Sequence, residues 1–317
     1  VKCDAVGVSV EDYLKDRVEE DVDTLCGWKQ VDLNPTHFAE FYDTGKAQIE
    51  EKLKPNQFVI GKFGKQSLLG IHKDGFIKKM QYKMDGLISV EPRNAEQSFA
   101  IEALLDPTIP LVCLTGLAGS GKTFLALMAA LAKMNSGRTP KGDTIGLQIP
   151  RDVIESFGIG YDRIVISRTL QPVGRDLGFL PGNLDEKMQP WLMPILDNVR
   201  HAFKDTSYFQ NMIEKGDIEI APIPYIRGRT FSNSFLIVDE AQNATIHELK
   251  TIITRMGTNS KIVLLGDVDQ IDTPYIDRQS SGLSIVIDKF QHSALCAHVN
   301  LSKGQRSDLA STASNIL

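Results

Sequence analysis

The sequence predicts an α/β protein, with a parallel sheet built around a phosphate-binding loop and a smaller β-rich domain ahead of it. Three observations carry this. Residues 116–123 read Gly-Leu-Ala-Gly-Ser-Gly-Lys-Thr, directly after the apolar run Leu111 to Thr115. From Pro92 onward, apolar strand-like runs alternate with longer helical segments, the pattern of a parallel α/β sheet. From Val22 to about Val90 the apolar runs are short and separated by turn signals.

A chain of 317 residues that is 42% hydrophobic and 24% charged can bury one large core and a smaller one. Residues 1–20, with Ala5-Val6-Gly7-Val8 and an acidic-basic run, are too short for a core and read as a remnant or linker. Residues 21–91 form the β-rich, barrel-like domain, with runs such as Gln57 to Ile60, Ser67 to Ile71 and Phe76-Ile77. Its turns are marked by Asn34-Pro35, Gly45, Gly61, Gly64 and Asp74-Gly75. Residues 92–317 form the α/β domain. Its strands are expected at Leu111 to Thr115, Arg163 to Ser167, Phe235 to Val238 and Lys261 to Leu265. Residues 136–161 read as an exposed insertion, being long for a helix-to-strand connection.

Four dispersed cysteines without a CxxC pair argue against a zinc site and fit a reducing compartment, with Cys113 in the core. No run is long and apolar enough to span a bilayer and the first residues lack secretion-signal features, so a cytoplasmic location without a membrane partner is expected. Val1 is not an initiator methionine, which suggests a processed chain or excised fragment. A net charge of −5 gives no global attraction to nucleic acid, so any such binding must use local basic patches.

The loop points to a nucleoside triphosphate. Gly116, Leu117, Ala118, Gly119, Ser120 and Gly121 let successive backbone N–H groups turn toward a β-phosphate. Lys122 reaches the β and γ oxygens, and Thr123 can ligate Mg²⁺ at the start of a helix whose dipole favours an anion. The helix-forming run that begins at Phe124 supplies the strand–loop–helix context.

The run Phe235 to Val238 ends in Asp239 and Glu240. Asp239 is expected to hold Mg²⁺ through water, and Glu240 to orient or deprotonate the attacking water. Acids at a helix start would also arise for electrostatic reasons alone. Thr245 and Glu248 have capping-box spacing, and Ile246, Leu249, Ile252, Ile253 and Met256 form an apolar face that Gly257 ends. Beyond Lys261 to Leu265, Gln270 can sense the γ-phosphate or the water.

The remaining candidates each have a bland counterpart. Asn94 and Gln97 open a short helix, where Gln97 is either an adenine reader or a solvated glutamine. Arg255 can reach a phosphate in a neighbouring subunit or be a surface arginine suited to a last turn. Arg227 and Arg229, with Tyr225 stacking on a base, can hold a nucleic-acid backbone, and Arg306 can be an arginine finger. A solvated loop explains either cluster as well.

These motifs, with Gly178-Phe179-Leu180-Pro181-Gly182, Tyr225 to Thr230, Asp239-Glu240-Ala241-Gln242-Asn243 and Gly266 to Asp272, resemble in order and surroundings those of the PhoH-like ATPases. The resemblance covers residues 92–317 and includes Lys303-Gly304-Gln305-Arg306-Ser307. It implies a RecA-like P-loop NTPase using ATP and Mg²⁺, similar in its core to superfamily-one helicases. Val1 to Val8 resembles the end of the PIN nuclease domain of long members, so the resemblance implies an ATP-dependent RNA helicase joined to a ribonuclease, with no nuclease in this chain. It also implies RNA or single-stranded nucleic acid as partner, Arg168 among its contacts, and a homo-oligomeric, hexamer-like ring. The chain departs from the family at Thr169, where proline is expected, at Gln305, where an acid is usual, and in the enlarged 136–161 segment. A nucleotide switch or assembly scaffold without unwinding activity is the alternative.

Overall fold

The computed structural model describes residues 17–19, 25–84, 90–134, 160–169, 193, 195–200, 207–226, 228–274 and 276–304. Two sheets organise it. The first is five-stranded, in the order β1-β3-β4-β5-β2, from β1 (Trp28–Asp32), β2 (Lys46–Ala47), β3 (Phe58–Phe63), β4 (Gln66–Lys73) and β5 (Phe76–Lys79). It is mixed: β1 runs parallel to β3, and the other pairs are antiparallel. Among the described residues β1 and β2 stay as edges, so the expected barrel is an open sheet.

Helix α1 (Pro35–Thr44) interrupts this region where the sequence reading placed only a turn. The Asn34-Pro35 pair is a helix start: the Asn34 side chain accepts from His37 N at 2.7 Å, and proline fits the first turn. Phe41 packs from α1 into a small core with Val31, Leu33, Val59, Leu68 and Ile77.

The second sheet has six strands, all parallel, in the order β11-β6-β10-β9-β7-β8. They are β6 (Leu111–Gly116), β7 (Arg163–Arg168), β8 (Ile218–Ile220), β9 (Ser234–Asp239), β10 (Lys261–Gly266) and β11 (Cys296–Leu301). The central strands are almost wholly buried, as near-continuous apolar runs require when helices cover both faces. Four of the six lie where the sequence put them. The short β8 and the alternating Cys-Ala-His-Val-Asn-Leu of β11 carry a weaker apolar signal and escaped it.

Helices α2 (Ala95–Leu105) and α3 (Lys122–Ala132) cover one face of this sheet. On that side Phe58 of the first sheet stacks on Phe99 of α2, with centroids 4.8 Å apart, so the small sheet shares the larger core. Helix α4 (Ser207–Lys215) contributes Phe209 and Met212. The opposite face is covered by α5 (Ile223–Ile226), α6 (Ile246–Ile253) and α7 (Gly282–Phe290). The Thr245–Glu248 capping box forms as expected, but α6 stops at Ile253, with Met256 and Gly257 beyond it. Gly257 N donates instead to Phe231 O at 2.6 Å.

Lys261, at the start of β10, is 1% exposed. Its ammonium donates to Ala103 O, Asp106 O and Ile109 O at 2.8, 2.8 and 2.6 Å, satisfying all three donors on carbonyls at and beyond the end of α2. Burial lowers its pKa to about 7. Nearby, Glu102 of α2 accepts the Gln81 and Tyr82 backbone N–H groups, and Lys73 of β4 pairs with Asp106. Residues 17–19 lie against the loop before α7, where Arg17 meets Asp277 at 2.7 Å. The remaining residues of the expected 1–20 remnant, the 178–182 motif and residues 136–159 of the insertion lie outside the described residues.

Candidate nucleotide site

The loop begins where β6 meets β11. Gly116 has φ +127°, and a Cβ there would sit 2.2 Å from Leu301 O, so both backbone angle and packing require glycine. Gly121, at φ +97°, hands the chain into α3. Between them the backbone curls around Lys122, whose ammonium donates to Gly116 O at 2.6 Å and Leu117 O at 2.9 Å. The Ser120 hydroxyl is buried in the loop without a hydrogen-bond partner among the described residues. Glycines at left-handed angles, an ammonium inside the curl, a helix N-terminus and an orphan hydroxyl fit a bound polyphosphate.

The acids stand on β9, which is separated from β6 by β10. Asp239 ends the strand, and the Thr123 hydroxyl donates to its Oδ1 at 3.4 Å, so the two oxygens that would hold Mg²⁺ face each other. Burial, and then the neighbouring Glu240, raise the Asp239 carboxyl, while Arg168 and Lys122 pull the other way. Among the described residues no cluster of three or more His, Cys, Asp or Glu offers a separate metal cage.

Glu240 follows with φ 54° and ψ 37°, a left-handed conformation that strains a non-glycine residue. Its two carboxylate oxygens are held separately. Arg168 of β7 donates to Oε1 at 3.1 Å, and Gln242 donates to Oε2 at 2.7 Å. Gln242, fully buried, also donates to Gln270 O at 2.9 Å and accepts from Asp267 N at 3.2 Å. Asp267 in turn accepts from Ala118 N of the phosphate loop at 3.1 Å. Burial raises its carboxyl. One continuous set of hydrogen bonds therefore joins the phosphate loop, the end of β10 and the Glu240 carboxylate.

Gln242 and Asp267 were read from sequence only as members of the family motifs, with no role of their own. Their contacts to each other and to the phosphate loop link segments far apart in the chain, which no local pattern gives. The other candidates fall as follows. Gln97 is 6% exposed and spends its amide locally, donating to Ser120 O at 3.1 Å and accepting from Arg93 N at 2.9 Å. Asn94 caps α2 by accepting from Gln97 N. The pair thus braces the phosphate loop from outside. Phe124 packs partly buried against the core. The Gln270 side chain is exposed near the loop, while its carbonyl is held by Gln242.

Arg168, expected at nucleic acid, instead lies on the Glu240 carboxylate. Thr169, where the resemblance led to an expectation of proline, donates its N–H to Asp239 O at 3.2 Å, a bond proline cannot make. Arg229 is paired in two-pronged fashion with Glu219 and stacked on Phe231, 5.2 Å from the ring centroid. This explains its position without a ligand. Tyr225 is 57% exposed, and Arg255 is exposed at the amino end of the sheet, remote from the loop of its own chain. Arg227 and Arg306 lie outside the described residues.

A phosphate loop on one strand, paired acids on the strand beyond its neighbour and a polar loop from the strand between them define a P-loop NTPase core of the RecA-like kind. A family profile described as PhoH-like protein matches residues 154–316. Protein PhoH2 of Bacillus subtilis strain 168 is 39% identical over 331 aligned residues, covering 100% of this chain and 70% of the relative. Protein PhoH2 of Mycolicibacterium smegmatis is 30% identical over 321 residues, covering 100% of this chain and 68% of the relative. A PhoH-like protein of Synechocystis is 38% identical over 170 residues, or 54% of this chain and 44% of the relative. The chain belongs to the PhoH-like family, a group of P-loop, ATPase-like proteins. Among the described residues no helix is long and apolar enough to cross a membrane.

Proposed function

We propose that this chain is an Mg²⁺-dependent ATPase that couples hydrolysis to RNA or single-stranded nucleic acid. The observation that carries the reading is the Glu240 carboxylate, clamped between Arg168 and Gln242 beside Asp239 and the phosphate loop. A carboxylate so fixed is positioned to orient a water and take its proton. Lys122 and the loop N–H groups would bind and orient the triphosphate, and Thr123 and Asp239 would hold the metal. Mg²⁺ bound there would neutralise charge on the phosphate oxygens. Gln242 ties the state of Glu240 to the 267–270 loop, which gives the site a route to report hydrolysis to the rest of the molecule.

The finer reading adds a homo-oligomeric ring in which Arg255 or Arg306 serves a neighbouring copy, and a working partnership with a PIN-type ribonuclease. Arg255 at the far end of the sheet supports only a contribution between copies.

The test is ATP hydrolysis with and without single-stranded RNA, with Lys122→Ala as the blank. Stimulation that is absent from the variant is expected. Tight ATP binding with slow, unstimulated hydrolysis would favour the switch or scaffold instead. Specific activity that rises with protein concentration is expected for the ring, and invariant activity would count against it.

A further inference from the structure

Helix α2 carries Gln97 in its first turn, against the phosphate loop. A side-chain amide with both ends open can read an adenine edge, because it accepts from the exocyclic amine and donates to the ring nitrogen beside it. Gln97 has neither end open. It is 6% exposed, its Nε2 donates to Ser120 O at 3.1 Å and its Oε1 accepts from Arg93 N at 2.9 Å. Both contacts are to main chain, and the first is to the phosphate loop itself. The fit is close, since a Cβ on Gly121 would lie 3.4 Å from the same Nε2.

Telling adenine from guanine takes an acceptor, because adenine presents an exocyclic amine where guanine presents a carbonyl oxygen. Cytosine and uracil differ in the same way. The neighbours of Gln97 have spent the oxygens that could serve. Asn94 Oδ1 caps the helix by accepting from Gln97 N at 2.9 Å. The Glu96 carboxylate, 5% exposed, accepts from Ser302 N at 2.8 Å, Ser302 Oγ at 2.6 Å and Lys303 N at 3.4 Å. The turn is therefore built to fasten the phosphate loop and the exit of β11 together. The groups gathered at the loop, which are Lys122, the glycine-turned N–H groups and the facing Thr123 and Asp239, address phosphate and metal. Those parts are common to every nucleoside triphosphate.

We infer that the site takes nucleoside 5′-triphosphates as a class, recognising the triphosphate and its metal and not the base, so that ATP is one substrate among several. The inference rests on the hydrolytic reading of the site. A pocket that hydrogen-bonds a distinguishing group rejects a substrate lacking it by orders of magnitude, whereas contact without such bonds discriminates weakly. With the amide of Gln97 committed to Ser120 and Arg93, the second case applies. Gln97 then acts on the loop, and through the loop on all substrates alike.

The experiment measures kcat/KM of the 317-residue chain for ATP, GTP, CTP and UTP, each with Mg²⁺, by phosphate release, with and without single-stranded RNA and with Lys122→Ala as the blank. The four values are expected to lie within about tenfold of one another. In Gln97→Ala, turnover is expected to fall by about ten- to a hundredfold with ATP and with GTP alike, through displacement of the loop. Their ratio stays at its parent value, and because a ratio cancels any inactive fraction it can be read even where the variant folds poorly. A preference above about tenfold for any one base in the parent chain overturns the inference and leaves nucleotide hydrolysis standing. A Gln97→Ala loss confined to ATP does the same, since it makes Gln97 a reader of adenine. Hydrolysis of none of the four overturns both the inference and the reading on which it rests.

Discussion

The Arg168 guanidinium and the Glu240 carboxylate meet at 3.1 Å across the carboxyl ends of the adjacent strands β7 and β9. The pair is about one-third exposed on each side, so its worth to stability is small. Its effect is on direction, since with Gln242 on the other oxygen the carboxylate has little freedom to rotate. Arg168→Ala is expected to lower ATP turnover by about a hundredfold through misplacement of that carboxylate, with little change in nucleotide affinity. Steady-state kinetics beside a nucleotide-binding titration checks this, and an unchanged turnover number would remove Arg168 from the site.

Glu240 itself separates chemistry from backbone. Glu240→Gln is expected to retain nucleotide binding and lose turnover by about 10²- to 10⁴-fold. Because residue 240 sits at φ 54°, Glu240→Gly should be more stable than Glu240→Ala by about 1 kcal/mol, since both lack the carboxylate and only glycine is unstrained there. Thermal melting of the two inactive variants reads the difference directly. Equal melting temperatures would mean that the left-handed conformation stores no strain.

What could be read from the sequence follows from how local each feature is. The phosphate loop, the Asp239-Glu240 pair and the Thr245–Glu248 box are contiguous, so their backbone geometry is written within a few residues. The parallel sheet was legible from its apolar central strands. Strand β11 was not, because its alternating residues pair with β6, and Asn34-Pro35 was misread because a turn and a helix cap use the same residue types. Arg168 reaches Glu240, and Gln242 reaches Asp267 and Gln270, only through the strand order, information that no single segment contains.

Lys261→Met should destabilise the fold by about 3 kcal/mol, because three inward-facing carbonyls lose their donor even though the methionine stem still packs. Chemical denaturation measures the loss, and a change below about 0.5 kcal/mol would mean that the carbonyls find other donors.

Acid should expose the cost of His298. Its ring nitrogen Nε2 lies 2.8 Å from the Thr115 hydroxyl, and burial, with Lys54 adding to it, lowers its pKa to about 3. The unfolded chain binds a proton near pH 6.5 that the folded chain refuses until about pH 3, so stability is lost as pH falls through this window. The loss from this group is about 2 kcal/mol at pH 5. Denaturation curves at pH 7 and pH 5 should therefore diverge more for the parent protein than for His298→Gln, and parallel behaviour would contradict a half-buried imidazole held neutral.

Helix α2 is fastened at each end to a different part of the molecule. Its first turn grips the phosphate loop through Gln97 and the exit of β11 through Glu96, which accepts from Ser302 N at 2.8 Å and Ser302 Oγ at 2.6 Å. Its far end is anchored by Lys261, while Phe99 and Glu102 bind it to the small sheet along its length. Pinned in this way, the small sheet and the phosphate loop share one helix as their common footing.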